Sequence, residues 1–449
     1  MHDKHSLMTE GSIAGHLLRF AAPLFVGNLF QQLYNTADAL IVGNLLGSEA
    51  LAAVSGTGSL VFMLISFFVG LSAGSGVAIS RYFGSREPEK MSRAIHTNIA
   101  LCLVSGLILT VAGVAFTPVL LRWMNTPENV MPMAASYIRI FFAGSMGLVL
   151  YNCFRGIMQA VGDSHNPLRY LIISSVLNVV LDILFIAGFG MGVEGAAYAT
   201  ILAQFISAIL CARQLMRTKE DYRVEIKKIG FDLPMLKLIV SYGLPSGVQN
   251  SVISIANVLV QSNINAFGDM AMAGCGAYAK IEGFAFLPVN SFVIAITTFV
   301  SQNLGARELA RAKKGARFGV LCTVIASELI GLLVYLAAPL LIGAFTSEPA
   351  AIAYGVQKSR VCALFFFLLA TSHGLSAVLR GAGKAVVPMG VMLAFWCIVR
   401  VTILELGVPY FGTIDIVYWV YPITWCLSSI ALVIYYLRGS WLRAFDKTA

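Results

Sequence analysis

The stretch Leu171-Ile-Ile-Ser-Ser-Val-Leu-Asn-Val-Val-Leu-Asp-Ile-Leu-Phe-Ile186 does not alternate in polarity, and neither does the run from Val420 to Leu437. A strand of a large membrane barrel alternates over segments of about ten residues. Both runs read instead as helices, within apolar stretches of roughly twenty residues, long enough to cross a hydrocarbon core about 30 Å thick. The first run nevertheless carries Asn178 and Asp182, four positions apart and therefore on one helix face.

The rest of the chain repeats the pattern. Of 449 residues, 58% are hydrophobic and 12% charged, and the mean hydropathy is +0.80, which excludes an ordinary soluble domain. Spans are expected near 15–41, 51–79, 95–117, 134–158, 168–188 and 193–215, then near 237–266, 272–300, 316–343, 357–379, 387–409 and 415–437. The expected fold is an all-α polytopic membrane protein, with twelve transmembrane helices in two pseudo-symmetric six-helix lobes. The first lobe is assigned to 1–216, a cytoplasmic linker to 217–236, and the second lobe with a short tail to 237–449. The linker holds Arg217, Lys219, Arg223, Lys227 and Lys228.

A repeat at an offset of 221 residues supports the six-plus-six division: Gly47 answers Gly268, Gly84 Gly305, Arg86 Arg307, Pro118 Pro339, Gly162 Gly383 and Pro167 Pro388. In that register Asp38 falls opposite Leu259, Asn178 opposite Val399 and Asp182 opposite Ile403. Duplication thus accounts for the scaffold, and its failure at the polar positions points to chemistry in the first half. Of the 31 Lys and Arg, 25 fall in the termini and alternate loops. The positive-inside rule then places both termini in the cytoplasm of a plasma-membrane protein, with the two halves parallel. The net charge of +9 follows from this topology, and no basic stripe interleaved with aromatics suggests nucleic acid. The polar start, Met1 to Glu10, does not resemble a cleavable signal. Eight scattered cysteines without a Cys-x-x-Cys pair suggest packing residues rather than disulfides or a metal cage.

Charges at bilayer depth cost on the order of 3 kcal/mol on insertion scales, so they face a cavity or a partner. Asp182 lies about 21 Å into its span at 1.5 Å per residue, and Thr200 comes to a similar depth from the other side. Together with Asp38 and Asn178 they form a hard-oxygen set suited to a small cation, Na+ included, or a proton. Mutual repulsion of the two acids is relieved when one takes a proton or a cation neutralises them. The other reading is that Asp182 and Asn178 hydrogen-bond helices together and Thr200 bonds back to its own helix. The second half instead carries Lys280, Glu282, Glu328, Arg400 and Glu405 within its spans. Glu282 and Arg400 come to similar depth as a candidate pair, with Lys280 nearby, serving helix register or substrate and coupling duty. Pro23 and Pro245 either kink gating helices or start the embedded segments; Gly70 and Gly74 suit close helix packing. Phe284, Phe286, Phe365, Phe366 and Phe367 are candidate cavity-lining residues.

Taken in order, Ala-Ala-Pro23, Asn-Thr-Ala-Asp-Ala-Leu-Ile-Val-Gly43, Gln159-Ala-Val-Gly-Asp-Ser-His-Asn-Pro167, Asn178-Val-Val-Leu-Asp182, Gly192-Val-Glu-Gly-Ala-Ala197, Gly-Leu-Pro245 and Ser301-Gln-Asn-Leu-Gly-Ala-Arg307 resemble the multidrug and toxic compound extrusion (MATE) transporters, nearly end to end. The resemblance is nearest to the DinF-like branch. It implies two lobes forming a V around a cavity opening alternately to each side, and export of amphipathic, often cationic compounds against an inward flow of Na+ or H+. Asp38, Asn178, Asp182 and Thr200 fall on positions similar to that branch's first-lobe cation site. The chain departs from the NorM-like branch, where a Glu follows the seventh-span proline by eight residues; here that position is Ile253. The function implied is a secondary active multidrug antiporter, with a flippase or exporter of lipid-linked or other polar metabolites as the alternative. No P-loop and no His-x-x-x-His pair suggests ATP use or enzyme chemistry. The expected partners are drug-like small molecules and membrane lipid, without nucleic acid, for a monomer that needs no cofactor beyond its coupling ion.

Overall fold

A computed structural model describes residues 7–123, 126–439, 441–442 and 445, leaving aside the side chains at 48, 51–52, 55–65 and 68. Some positive charges used above for the termini, at Lys4, Arg443 and Lys447, lie outside the described residues. The helices of the first half are α1 (Ile13–Leu46), α2 (Ser48–Gly84), α3 (Pro88–Trp123), α4 (Met131–Ala143), α5 (Ser145–Ala160), α6 (His165–Gly188) and α7 (Val193–Arg217). Those of the second half are α8 (Leu233–Asn265), α9 (Asp269–Gly305), α10 (Leu309–Gly343), α11 (Pro349–Ala363), α12 (Phe366–Gly381), α13 (Val386–Phe411) and α14 (Asp415–Leu437).

Eight of these are individually long and apolar enough to cross a membrane, and two bent pairs, α4 with α5 and α11 with α12, qualify together. Adding α2 and α8, of 37 and 33 residues, gives the twelve crossings expected. The fourth and tenth spans are not the uninterrupted rods drawn at 134–158 and 357–379, because they bend by 47° and 54°. Gly144 marks the first bend, where a Cβ would collide with Ile201. At the second, the backbone N–H of Phe367, left without an intrahelical acceptor, donates to Glu328 Oε2 at 3.0 Å. Glu328 therefore acts as a cap at a broken helix.

The 221-residue repeat is present in the backbone. Gly47 and Gly268 have φ of 89° and 93°, Gly162 and Gly383 have 87° and 78°, and even the non-glycine pair Arg86 and Arg307 is left-handed at 55° and 61°. Each arginine closes its helix in the same way: Glu87 N–H donates to Tyr82 O at 3.0 Å and Glu308 N–H to Asn303 O at 2.8 Å. Two unrelated arginines would not both accept a conformation that costs an L-residue about 1 kcal/mol. A common ancestral turn explains both.

The described residues divide into two compact units: Val26–Gly247, and Leu7–Phe25 with the residues from Val248 onward. This differs from the boundary drawn at 216–237. Each crossover falls two residues past a helix proline, Pro23 in α1 and Pro245 in α8, where a missing N–H interrupts the hydrogen-bond ladder. Residues before Val26 pack with the second unit: Met8, Leu17, Phe20 and Leu24 share a core with Ala295 and Phe299, and Arg311 donates to the carbonyls of Met8, Glu10 and Gly11 at 3.0, 2.7 and 2.7 Å. Within the first unit, Gly70 and Gly74 of α2 meet Gly247 and Gly243 of α8 so closely that an added Cβ would lie within the opposing backbone.

The basic linker is not loose. Tyr222 and Val224 are buried in the first unit's core, Glu225 N–H donates to His96 Nε2 at 3.0 Å, and Asp232 N–H donates to Thr97 Oγ1 at 3.2 Å. His96 reaches the Ser92 carbonyl through Nδ1 at 2.7 Å, so its other nitrogen is free to accept. His96→Ala removes that acceptor. Limited trypsin digestion of the purified protein should then cut at Arg223, Lys227 and Lys228 at least several-fold faster than in wild type; unchanged cleavage would show that the buried Tyr222 and Val224 hold the segment alone.

Candidate functional site

In the first unit α1, α6 and α7 turn polar residues inward. On α6, Ser174, Asn178 and Asp182 recur every four residues, which stacks them along one face; all three are buried, Asn178 at 2% and Asp182 at 0% exposure. On α1, Tyr34 and Asp38 are likewise one turn apart, as are Thr200 and Gln204 on α7. Directly after Asp182 the helix widens, with Phe189 N–H donating to Leu184 O, five residues back, at 2.9 Å. Widened turns of this kind concentrate at functional sites.

Two layers result. Tyr34, Ser174, Ser175, Asn178, Thr200, Ala203 and Gln204 line a small cavity with room for about one water molecule. One turn along, the carboxyls of Asp38 and Asp182 meet within hydrogen-bonding reach, with Tyr137 of α4 in their neighbourhood. As carboxylates both are acceptors only, so the contact lacks a donor. Both carboxylate oxygens of Asp182, Oδ1 of Asp38, the amide oxygen and nitrogen of Asn178, Ser175 Oγ and Gln204 Oε1 are buried with no protein hydrogen-bond partner. Each orphaned polar atom costs about 1–3 kcal/mol, more when charged, a cost that a proton, a cation or ordered water would relieve.

All four residues singled out in sequence thus line the cavity or the acid pair beside it. Tyr34, Tyr137, Ser175 and Gln204 escaped that reading. Tyr34 and Gln204 were discoverable, since each lies four residues from a chosen position on the same helix face. Tyr137 was not: it comes from α4, which contributes no acid. Among the described residues no group of three or more His, Cys, Asp or Glu gathers as a metal cage.

The second unit is arranged differently. Arg400 is 2% exposed, donates from Nη2 to Thr424 Oγ1 at 2.9 Å, and stacks over Trp396 and Tyr421 at 5.2 and 4.6 Å from their ring centres. Glu282 accepts from the Tyr278 hydroxyl at 3.2 Å, and no ion pair joins it to Arg400 among the described residues. Lys280 is exposed, because two residues along a helix turn it about 200° from Glu282. The charge that accompanies Glu282 is Lys358 on α11, 4% exposed, with Nζ over Tyr278 and Tyr421 at 5.3 and 5.2 Å. Its depth was hidden in sequence because the tenth span was drawn from 357, whereas α11 begins at Pro349. Glu405 is exposed.

The MatE family model matches residues 23–184 and again 245–403, once in each half. The chain belongs to the MatE family. The probable multidrug resistance protein YpnP of Bacillus subtilis is 30% identical over 96% of this chain and 97% of its own length. A FAD transporter of Shewanella oneidensis is 24% identical over 78% of each chain. Among solved structures, an outward-facing multidrug resistance MATE family transporter of the MOP superfamily aligns at a TM-score of 0.91 and 24% identity, covering 99% of both chains. The chain is therefore a multi-pass membrane protein of a transporter family, with the MATE fold.

The acid pair makes a stability prediction of its own. Asp182→Asn places an amide donor beside Asp38 and removes one of the two facing charges, so its melting temperature at neutral pH without Na+ should equal or exceed that of wild type. Asn178→Leu, which leaves both acids in place, should not raise it. A fall for Asp182→Asn of several degrees, measured by intrinsic fluorescence on heating, would contradict the orphaned-acid account.

Proposed function

We propose that this MatE-family chain is a secondary active exporter of amphipathic, often cationic compounds, driven by inward movement of Na+ or H+ through its first unit. The observation that carries this reading is the set of Asp38, Asn178 and Asp182, of which Oδ1 of Asp38, both carboxylate oxygens of Asp182 and the amide atoms of Asn178 are buried without a protein partner. A site whose cost is relieved by taking up a cation or proton can couple that uptake to a change in helix packing. Thr200 supplies a further oxygen on the cavity wall. The set is that of the DinF-like branch rather than the NorM-like one, since Ile253 stands where the latter carries a Glu.

In the mechanism that follows, the coupling ion enters from outside and neutralises the Asp38–Asp182 pair. A proton would let the two acids hydrogen-bond, and Na+ would be shared by their oxygens; either replaces repulsion and lets α1 close on α6. That movement reshapes the first unit and displaces its cargo. The protein acts at the plasma membrane as a monomer with both termini in the cytoplasm, consistent with the cluster of basic residues in alternate loops.

The names of the relatives support drug export first, with multidrug resistance the description of the 30%-identical protein. A second reading, export of a polar metabolite, draws support from the relative named as a FAD transporter. Proteoliposomes loaded with a fluorescent cationic dye distinguish the coupling claim from passive leakage. Imposed Na+ and pH gradients, applied separately, should show that one of them drives efflux in wild type, and Asp38→Asn should reduce it to the rate without a gradient. Efflux by the folded Asp38→Asn protein at the wild-type rate would remove the first-unit acids from the mechanism.

A further inference from the structure

At the register of the 221-residue repeat, the second unit reverses the polarity of the first. Thr200 and Gln204, on the cavity wall, answer Tyr421 and Trp425, and Ser175 answers Trp396; Tyr137 answers Lys358, and Arg400 stands one residue past the place of Asn178. Positions that carry oxygens in one unit thus carry aromatic rings in the other, with two cations added among them.

We propose that Lys358 and Arg400 form a binding site for the anionic group, carboxylate or phosphate, of an amphipathic small molecule whose apolar body lies against Trp396, Tyr421 and Phe286. Three observations lead there. The two cations are 4% and 2% exposed, so each has been taken almost wholly out of solvent. Their protein partners do not offset the charge. Among the described residues neither joins an ion pair; Lys358 lies over the faces of Tyr278 and Tyr421, and Arg400 has one hydroxyl acceptor, Thr424, with Nε buried and unpartnered. Glu282, the nearby carboxylate, is held by the Tyr278 hydroxyl. One carboxylate against two cations leaves one positive charge in excess, which is costly in an apolar interior and is relieved by an entering anion.

The third observation is access. Glu282, Phe286 and Tyr421 are only partly buried, which makes them the most accessible members of the cluster, while Tyr278, Trp396 and Trp425 are buried. His373, ring-edge against Phe286 and Trp396 at 5.7 and 5.3 Å, extends the aromatic wall. Arg presents a planar fork to a carboxylate or phosphate, and Lys adds a point charge. The flat rings suit an aromatic or otherwise apolar body.

As a statement of substrate class this rests on the second export reading above, that of a polar metabolite, but the site itself is tested by binding alone. The probe is 1-naphthyl phosphate, with 1-naphthol as its uncharged counterpart, titrated into the purified full-length protein with tryptophan fluorescence as the signal. Wild type should bind the phosphate at least about tenfold more tightly than the naphthol, the scale of one charge-assisted contact. Lys358→Met should weaken the phosphate by about tenfold or more and leave the naphthol unchanged, while Lys358→Arg should restore most of the affinity. Displacement by dioctanoylphosphatidylglycerol better than by inorganic phosphate assigns the natural anion to a lipid headgroup, and the reverse assigns it to a free solute; either supports the site. Equal affinity of wild type for phosphate and naphthol overturns it without recourse to any variant, as does full phosphate affinity in a folded Lys358→Met. If binding fails while gradient-driven efflux depends on Asp38, only the anion site falls; if binding holds while that dependence fails, only the coupling reading falls.

Discussion

The feature on which the rest of the molecule depends is the pair of carboxyls, Asp38 and Asp182, brought face to face where neither has a protein donor. Two like charges at hydrogen-bonding distance in a poorly solvated site repel strongly, and the repulsion is switched off by one proton or one monovalent cation. In the proposed cycle the loaded pair permits the two helices to approach and the unloaded pair separates them. The polar stripe of α6 and the widened turn beyond Asp182 are where that difference can be absorbed, because a five-residue hydrogen-bonded turn is already off the regular ladder.

Burial is what gives the pair its force. In water, the same acids would ionise independently and exert little influence on packing. Here the surrounding side chains, Tyr34, Tyr137, Ser175 and Gln204, present few and imperfect partners. Fully satisfying the acids with protein donors would stabilise one state permanently and remove the reason to bind an ion. Incomplete satisfaction is consistent with a site whose occupant changes during a cycle, and it explains why these residues stand out from the paired polar groups elsewhere. Ser372, for instance, bonds Ser428 and Ser429 at 2.8 and 2.9 Å within the second unit and leaves little for a ligand to do.

How much of this was legible in the sequence follows from which physical signals are local. Helix class, the number of crossings and the duplicated halves were readable because hydropathy and repeat spacing are properties of the chain alone, as Gly47 with Gly268 and Arg86 with Arg307 demonstrate. Asp38, Asn178 and Asp182 were readable because charge at bilayer depth is costly wherever it packs. The bends after Ala143 and Ala363 were not, since no proline marks them and their causes, Ile201 against Gly144 and Glu328 reaching Phe367, lie on other helices. Lys280 was mistaken for a member of the second unit's charge cluster because its depth resembles that of Glu282, yet helix phase turns it outward. Lys358 was passed over for the converse reason: a late helix start concealed its depth.

The division of the chain at Pro23 and Pro245 shows how the duplicated scaffold distributes its labour. Each proline removes one ladder hydrogen bond close to the point where α1 or α8 changes the unit it packs with. On α1, the residues before the change are fixed by Arg311 and the Phe299 core, while the residues after it carry Tyr34 and Asp38. The helix is thus held by packing before the change and bears Asp38 after it. Duplication supplied that geometry twice, but only α1 received an acid: Leu259 occupies the matching place on α8. The two halves are therefore equivalent as scaffold and divergent as chemistry, with carboxylates concentrated in one and buried cations in the other.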